Sequence, residues 1–370
     1  RTVLPFSVSV EKSRSIRRSL VVGNVLAAIL ILMATAFIVI SDRQKVIEDS
    51  TADVTMVRNA ISEQTQQTFS ALALALGSIV DVIDPRNLSD PDVHNVLRIR
   101  QAVLSFSYAI YILDHTGQLV STSRTPSPAP EDFSNDPAFT KQKSANIDGL
   151  FIAPPRLGKV GYARDRWVIP VSRRLTHVDG RFAGVVAAVV SLDHLTSFYE
   201  TLRLGKNGTV GLINLDNTIL ARSPHDPDYL GQTIAETKYL RGELPTGPSG
   251  VFRTIQNSDD TDRIYAYARI PDYPLAVYIG ISVDERLAAW RVRAVLDTGS
   301  AVLAIAIMIG LSALLAAHLR QGVAEQARRV EQLKQLARVS ELLFEADSVD
   351  TAIQRATDIA REVVPSHMAV

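Results

Sequence analysis

The sequence predicts an α+β protein in which two antiparallel-sheet modules sit on a long N-terminal helix, flanked by two transmembrane helices. Three observations lead to this fold class. Two uncharged apolar runs of about 20 residues lie towards the two ends of the chain. Residues 43–76 contain neither Gly nor Pro. A strand, turn and strand pattern with period two occurs twice, about 100 residues apart.

The two apolar runs have the length of membrane spans. Residues 19–40 and 294–319 are each long enough, at 1.5 Å per helical residue, to cross about 30 Å of hydrocarbon. Basic residues precede the first run and follow the second, so the positive-inside rule places both termini in the cytoplasm and the middle region outside. These basic residues are Lys12, Arg14, Arg17, Arg18, Arg320, Arg328 and Arg329.

Helical signals come first in the middle region. Apolar residues recur at three- and four-residue steps after the first span, which predicts a long helix rising from the membrane. Asp90 and Pro91 can then cap and begin a second helix. The stripe of the long helix consists of Val54, Val57, Ile61, Thr68, Leu72 and Ile79.

Strand signals follow from Tyr108 onwards. "YAIYILDHTGQLVSTS" predicts a hairpin that turns at Gly117. Residues 167–175 and 182–192 predict two more strands around the turn "HVDG". The second of these strands is apolar on both faces, so we expect it at the centre of a sheet, covered on both sides. "GTVGLINLDNTILARS" repeats the hairpin pattern, which indicates an internal duplication.

Composition and motifs exclude several classes of function. The chain has 39 basic and 39 acidic residues, so no nucleic-acid partner is expected. It has no Cys, which excludes disulfides and thiolate chemistry. No histidine lies in a metal-binding or catalytic motif, and Asp226 and Asp228 lie in a loop typical of exposed turns. We therefore expect no catalytic residue, no metal and no cofactor. Because the chain starts at Arg1, we also expect it to be a fragment of a longer protein.

Four segments together carry a family resemblance: "DFSNDPAF", "GLFIAPPRLGKV", "RWVIPVSRRL" and "DGRFAGVVAAVVSLDHLTSFYETLRLGKNGTVGLINLDNTILAR". Their order resembles the double Cache family, the PAS-like sensors outside the membrane in bacterial receptors. The resemblance implies a small-molecule pocket in the membrane-distal module, at about residues 106–195. The implied domains are an arm (1–18), the first span (19–40), the sensor (41–293), the second span (294–319), a signalling helix (320–345) and the start of a GAF domain (338–370). Within the sensor we expect helices over 43–105, the distal module over 106–199, the proximal module over 200–283 and a connecting helix over 284–293.

The resemblance also suggests ligand-binding residues. In the amino-acid-binding branch of the family, Tyr, Arg and Trp hold the ligand carboxylate and a later Asp holds the ammonium. The spacing here departs from that branch, because the matching arginine directly precedes the tryptophan. Trp167 could equally be a core aromatic, Asp193 a helix N-cap, and Arg173 a solvated hairpin charge. The candidate ligand-binding residues are Arg124, Tyr162, Arg166, Trp167, Arg173 and Asp193.

The tail after the second span predicts a parallel helical dimer. Val330, Leu333, Leu336, Val339 and Leu343 form one helical stripe. The sequence "LARVSELLFEADSVDTAIQRATDIAREVVPSHMAV" resembles the start of a GAF domain.

These features predict the input half of a homodimeric sensor histidine kinase in the bacterial inner membrane, with a periplasmic sensor and a response regulator as the partner of the full-length protein. Alternatives are the input half of a diguanylate cyclase, a membrane-anchored enzyme acting outside the cell, and a structural or interaction protein.

Overall fold

The computed structural model describes residues 6–144, 149–159, 161–234, 247–255 and 260–344. The chain divides into two compact units. One consists of residues 41–292, and the other consists of residues 1–40 and 293–370. The first of these contains both sheets and its own hydrophobic core, and it positions the candidate site.

The predicted long helix is present as α1 (Phe6–Val82). Within residues 41–82 its buried face includes Val54, Ile61, Leu72 and Ile79, as the apolar spacing predicted. Between Ile61 and Leu72 the buried residues are Thr65 and Phe69, whereas Thr68 is half-buried. This face belongs to one large core cluster that also contains residues of both sheets.

The second helix, α2 (Pro91–Ala102), begins as predicted. Asp90 is its N-cap, and the Asp90 side chain accepts a hydrogen bond from the Asp92 amide at 2.9 Å. Pro91 occupies the first helical turn, where its missing N–H costs nothing. Val93 and Leu97 fix α2 to the module because both are buried.

The first module is an antiparallel sheet in the order β2-β1-β6-β5-β3, with β4 paired to β5. Strand β6 lies between β1 and β5, which confirms the predicted central position of the doubly apolar strand. Its residues from Ala183 to Ser191 are all buried. The elements are β1 (Ser107–Asp114), β2 (Leu119–Thr122), α3 (Pro137–Ser144), β3 (Phe151–Ile152), β4 (Arg156–Leu157), a 3₁₀ turn (Gly161–Ala163), β5 (Trp167–Thr176), β6 (Phe182–Ser191) and α4 (Leu192–Thr201).

The second module repeats this topology, with strands in the order β8-β7-β11-β10-β9. The repeat extends to the hairpin turns. Asp114 accepts hydrogen bonds from the Thr116, Gly117 and Gln118 amides, and Asn214 accepts them from the Asp216 and Thr218 amides. The elements are β7 (Thr209–Asn214), β8 (Ile219–Ser223), a 3₁₀ turn (Pro227–Tyr229), β9 (Ser249–Ile255), β10 (Asp262–Arg269) and β11 (Leu275–Ser282).

Tyrosine rings pack against glycines inside the second sheet. A Cβ on Gly211 would lie 2.2 Å from the Tyr278 ring, and one on Gly280 would lie 2.6 Å from the Tyr265 ring. Both tyrosines are fully buried. Glycines at these two positions therefore let large rings fill the interior of this module.

The last helix, α5 (Val283–Phe344), continues from the second module. By length and composition, two helical stretches could cross a membrane, Arg18–Val82 and Val283–Arg338. Their most apolar windows are 0% and 6% buried, unlike the core helix of a soluble protein. In the unit formed by the chain's two ends, Ser312 donates a hydrogen bond to Asn24 Oδ1 at 3.1 Å.

Part of the stripe predicted in the tail lies within the described residues. Val330, Leu333 and Leu336 are exposed on α5. The side chains of Val339 and Leu343, and residues 345–370 with most of the expected GAF segment, lie outside the described part of the chain.

The central strand supplies a test of the fold. Gly184 has φ 153° and a Cβ there would lie 2.1 Å from the Leu113 carbonyl oxygen, whereas Gly180 has φ 82° and open space around it. We expect Gly184→Ala to lower the free energy of unfolding of residues 41–292 by about 3 kcal/mol or more, from backbone strain and overpacking together. Gly180→Ala should cost about 1–2 kcal/mol, from strain alone. Urea titration measures both values, and equal losses would contradict the close β1–β6 approach.

Candidate functional site

A cavity of about 110 Å³ lies on the first module, on the face of the sheet opposite to α1. The side chains of β6 separate the two faces. Val186, Ala188 and Val190 belong to the cluster that contains α1, and Val185, Ala187 and Val189 belong to a smaller cluster beside the cavity. The cavity is lined by Tyr108, Ala109, Tyr111, Leu119, Thr122, Arg124, Thr125, Pro128, Ala129, Phe133, Arg156, Gly158, Lys159, Gly161, Ala163 and Val189.

Two loops wall the cavity above the sheet. One is the proline-rich segment after β2, which contributes Thr125, Pro128 and Ala129. The other follows β4 and folds tightly onto itself: a Cβ on Gly158 would lie 1.9 Å from the Ala163 carbonyl oxygen. Asp165, at φ 60°, then turns the chain into β5. The cavity therefore depends on a glycine at position 158, because a side chain there would push this wall away from the sheet.

A buried ion pair supports the second wall. Arg156 Nε lies 2.9 Å from Asp136 Oδ2, and the Asp136 side chain is 2% exposed. Asp136 also caps α3, because its other carboxylate oxygen accepts the Ala138 amide hydrogen at 2.9 Å. The Asp136 carboxylate thus fixes one cation of the cavity wall to the first turn of a helix.

Cations surround the aromatic floor of the cavity. The Arg156 guanidinium and the Lys159 ammonium lie 5.8 and 5.5 Å from the centre of the Phe133 ring. Phe133 stacks on Tyr111, with 5.4 Å between ring centres. Arg124 also lines the cavity and donates from Nε to the Tyr108 carbonyl oxygen. The positive potential of the cavity therefore comes from β4, the loop after it and the end of β2.

Tyr111 carries a polar atom that the surrounding protein leaves unused. The residue is 6% exposed, and among the described residues its hydroxyl has no hydrogen-bond partner. Burial raises the pKa of this hydroxyl, the Asp136 carboxylate adds to the rise, and the nearby Arg156 partly offsets it. The phenol is therefore neutral at physiological pH and has a hydrogen to donate.

Three polar groups join at the edge of the cavity around Tyr108. Its hydroxyl donates to Asp193 Oδ2 at 3.2 Å and accepts a hydrogen bond from Arg166 Nη1 at 3.3 Å. The Arg166 guanidinium also lies 5.5 Å from the centre of the Tyr108 ring. The hydrogen bond with Tyr108 and the charge of Asp193 raise the pKa of Arg166. The structure thus brings together two of the residues selected from the sequence, with a tyrosine between them.

The other selected residues lie in different surroundings. Trp167 packs against the large cluster on the α1 face of the sheet. Arg173 shares that face. Its guanidinium packs against Gly77 of α1, where a Cβ on the glycine would lie 2.8 Å from Arg173 Nη1. Arg124 lines the cavity. Tyr162 lies in the 3₁₀ turn beside the cavity, and its side chain is outside the described part of the structure.

The helix after β6 differs from the alternative considered for Asp193. Ser191, and not Asp193, is the N-cap of α4, because its hydroxyl accepts the His194 amide hydrogen at 3.2 Å. Asp193 lies in the first turn, where a carboxylate suits the helix dipole. Its carboxylate remains available to Tyr108.

Sequence reasoning missed most of the cavity. Tyr108 and Tyr111 were assigned only to a hairpin, and Phe133, Arg156 and Lys159 only to family motifs. A signal was present in "PPRLGKV", which places two cations and two prolines around a glycine. Such a segment forms a tight exposed loop with charged side chains, but its position over β1 depends on the tertiary structure.

Comparisons with known proteins agree on the fold of this unit. The family model dCache_1, described as a Cache domain, matches residues 41–290. A search of curated proteins finds no match. Among solved structures, the extracellular domain of the candidate histidine kinase rpHK1S-Z16 is 28% identical, with a TM-score of 0.57, and the match covers 66% of this chain and 99% of that one.

Two chemoreceptor domains share the same fold. The ligand-binding domain of Pseudomonas aeruginosa PAO1 PctB, in complex with L-Arg, is 18% identical with a TM-score of 0.51, and the match covers 64% of this chain and 97% of that one. The periplasmic sensory domain of Campylobacter jejuni Tlp1 is 14% identical with a TM-score of 0.53, and the match covers 64% and 98%. At these identities the likeness is one of fold alone.

A substitution at Tyr111 tests whether its buried hydroxyl lacks a hydrogen-bond partner in the ligand-free protein. Tyr111→Phe removes a buried donor that has no partner, so we expect the ligand-free unit to gain about 1 kcal/mol in free energy of unfolding. Ser172→Ala is the control. Ser172 is also buried, but its hydroxyl donates to the Ala138 carbonyl oxygen at 2.8 Å, so its loss should cost about 1 kcal/mol. Urea titration of residues 41–292 measures both. A loss of stability in Tyr111→Phe comparable to that of Ser172→Ala would show that the phenol is already satisfied.

Proposed function

Since the chain belongs to the Cache domain family, which its residues 41–290 match, we propose that it senses a small molecule outside the cytoplasm through the cavity of its first module. The observation that carries this proposal is the cavity itself. It is a partly open space with aromatic and aliphatic walls and a few convergent polar groups, the usual composition of a small-molecule site. Its buried hydroxyl has a hydrogen bond to offer, and a ligand would accept it.

We propose further that the chain spans the bacterial inner membrane twice, with the sensor in the periplasm and both termini in the cytoplasm. Two helices of sufficient length and apolarity support this topology, and their apolar windows are exposed rather than packed in a protein core. The basic residues before residue 19 and after residue 319 fit the positive-inside rule. In this topology Asn24 and Ser312 form a polar pair between the two spans, a contact of the kind that fixes helix register in a membrane.

The output is proposed to be a histidine kinase acting on a response regulator. The likeness to the extracellular domain of rpHK1S-Z16 supports a kinase, and the exposed tail stripe of Val330, Leu333 and Leu336 supports a parallel homodimer. The proposed GAF domain after this helix is supported by the sequence resemblance of residues 338–370. A ligand with different affinities for two arrangements of the dimer would shift the equilibrium between them. A diguanylate cyclase output is the second candidate, because the duplicated sensor fold is compatible with either.

A screen by thermal shift tests the sensing proposal. Residues 41–292 would be tested against amino acids, amines, carboxylates, sugars and purines. A ligand at 100 times its dissociation constant adds about 2.7 kcal/mol to the free energy of unfolding, which gives a clear rise in melting temperature. Ala129→Trp on the exposed wall loop should abolish the rise by filling the cavity mouth.

Ser127→Trp is the matched control. Ser127 is exposed on the same loop and does not line the cavity, so this variant should retain the full response. A response that survives Ala129→Trp would place the ligand elsewhere on the sensor. Absence of any response across all five classes would contradict small-molecule sensing and favour a protein partner or a structural role.

A further inference from the structure

We propose that the cavity of the first module selects a small organic anion, with the anionic group beside Tyr111, Arg156 and Lys159 and the apolar body against Ala109, Leu119 and Val189. This inference rests on the proposed sensing function and names its class of ligand. It differs from the zwitterionic amino acids that the family resemblance suggests.

The charges of the lining are the first argument. Three of the lining side chains are cationic, namely Arg124, Arg156 and Lys159, and no described lining residue carries a carboxylate. Asp136 lies behind the wall, where it pairs with Arg156 and caps α3. The Lys159 ammonium lies over the Phe133 ring, and Lys159 is an exposed residue of the cavity lining. A cavity with this lining attracts an anion and repels an ammonium group.

The second argument is the set of hydrogen-bond donors. The Tyr111 hydroxyl is buried beside Arg156, which can only donate, so its hydrogen has no acceptor among the described residues and a ligand oxygen can accept it. A phenol, a guanidinium and an ammonium on one side of a small cavity offer several donors to one ligand group. An oxyanion uses them best, because charge-assisted hydrogen bonds are the strong ones. The Thr122 hydroxyl, also in the lining, donates to the Ile110 carbonyl oxygen at 3.3 Å within its own hairpin.

The third argument concerns the ammonium of an amino acid. The carboxylate selected for that role, Asp193, accepts a hydrogen bond from Tyr108 and lies within the electrostatic reach of Arg166. The Tyr108 ring lines the cavity, whereas Asp193 does not. An ammonium group in the cavity would therefore lose its hydration beside cations, without a carboxylate in the lining to compensate.

The remainder of the lining defines the rest of the ligand. Ala109, Leu119, Val189 and the two rings of Tyr111 and Phe133 provide an apolar floor, and the prolyl loop adds Pro128. The volume of about 110 Å³ suits a ligand of a few heavy atoms. A short branched, aromatic or dicarboxylic acid fits both the charge and the size.

The test compares acids with neutral molecules of the same shape. The full 370-residue chain, in lipid nanodiscs, would be titrated by calorimetry with isovalerate, benzoate and succinate, each beside its amide. Isopentylamine and L-leucine share the branched hydrocarbon group of isovalerate. Isopentylamine carries an ammonium group in place of the carboxylate, and L-leucine carries both groups. We expect at least one acid to bind tenfold or more tightly than its amide, and isopentylamine and L-leucine to bind more weakly than isovalerate.

Two variants locate the binding. Lys159→Met, at an exposed position, should weaken the bound acid tenfold or more and reduce the salt dependence of its affinity. Lys141→Met is the control, because it removes the same charge from an exposed position on α3 that does not line the cavity. Tyr111→Phe should weaken the acid more than its amide, because the hydrogen bond of the phenol to a carboxylate is charge-assisted.

The outcomes separate the two proposals. If amides, the amine or L-leucine bind as tightly as the acids, and Ala129→Trp abolishes that binding, the anion inference is wrong and sensing through the cavity stands. If the acids bind but Lys159→Met has no larger effect than Lys141→Met, the inference is wrong in its placement of the anion. If no acid, amide, amine or amino acid binds and the wider screen is also negative, both proposals fail.

Discussion

Strand β6 must be covered on both faces, and the first module is arranged around that requirement. Its alternate residues are Val and Ala on both sides, so burial of one face alone would leave an apolar surface in water. Helix α1 covers one side with a continuous row of large side chains. The other side is covered by a smaller cluster, built largely from loops and short elements. Where this second cover is incomplete, the cavity remains.

The polar groups of the cavity are fixed by elements outside the sheet. Asp136, at the start of α3, holds Arg156, and the Gly158 turn keeps the next residue over Phe133. The Tyr111 hydroxyl is buried among these groups at a cost in stability, since its lost hydration is not replaced by a protein hydrogen bond. Such local departures from good packing are expected at binding sites, where they prepare the protein for a ligand. The second module shows the contrast, because Tyr265 and Tyr278 fill the space against its glycines.

Local patterns predicted much of the fold. Asp90 with Pro91, the turn at Gly117, and the doubly apolar strand 182–191 are short-range signals that tertiary structure does not override. Those signals also predicted the duplication. In the structure, Asp114 and Asn214 accept equivalent hydrogen bonds in the two hairpin turns. The helix cap at Ser191 was missed because Asp and Ser are equally good caps, and backbone geometry decides between them.

The candidate site was harder to predict, because period two fixes which residues share a face but not what covers that face. Along β5, one face turns towards α1 and carries Trp167, Ile169, Val171 and Arg173. The opposite face carries Val168 and Ser172. Arg166 and Asp193 are linked by the hydroxyl of Tyr108. This tyrosine lies on β1, about 60 residues before Arg166 and 85 residues before Asp193 in the sequence. The walls come from loops whose positions depend on long-range contacts such as the Asp136–Arg156 pair.

The central claim is that the first module's cavity is where the sensor meets its ligand. Its most direct test is a crystal structure of residues 41–292, grown with whichever of isovalerate, benzoate and succinate binds most tightly. We expect electron density for the acid inside the cavity, with its carboxylate about 3 Å from the Tyr111 hydroxyl and from Arg156 or Lys159. Density for the acid on the α1 face of the sheet or in the second module, with the cavity empty, would contradict the claim.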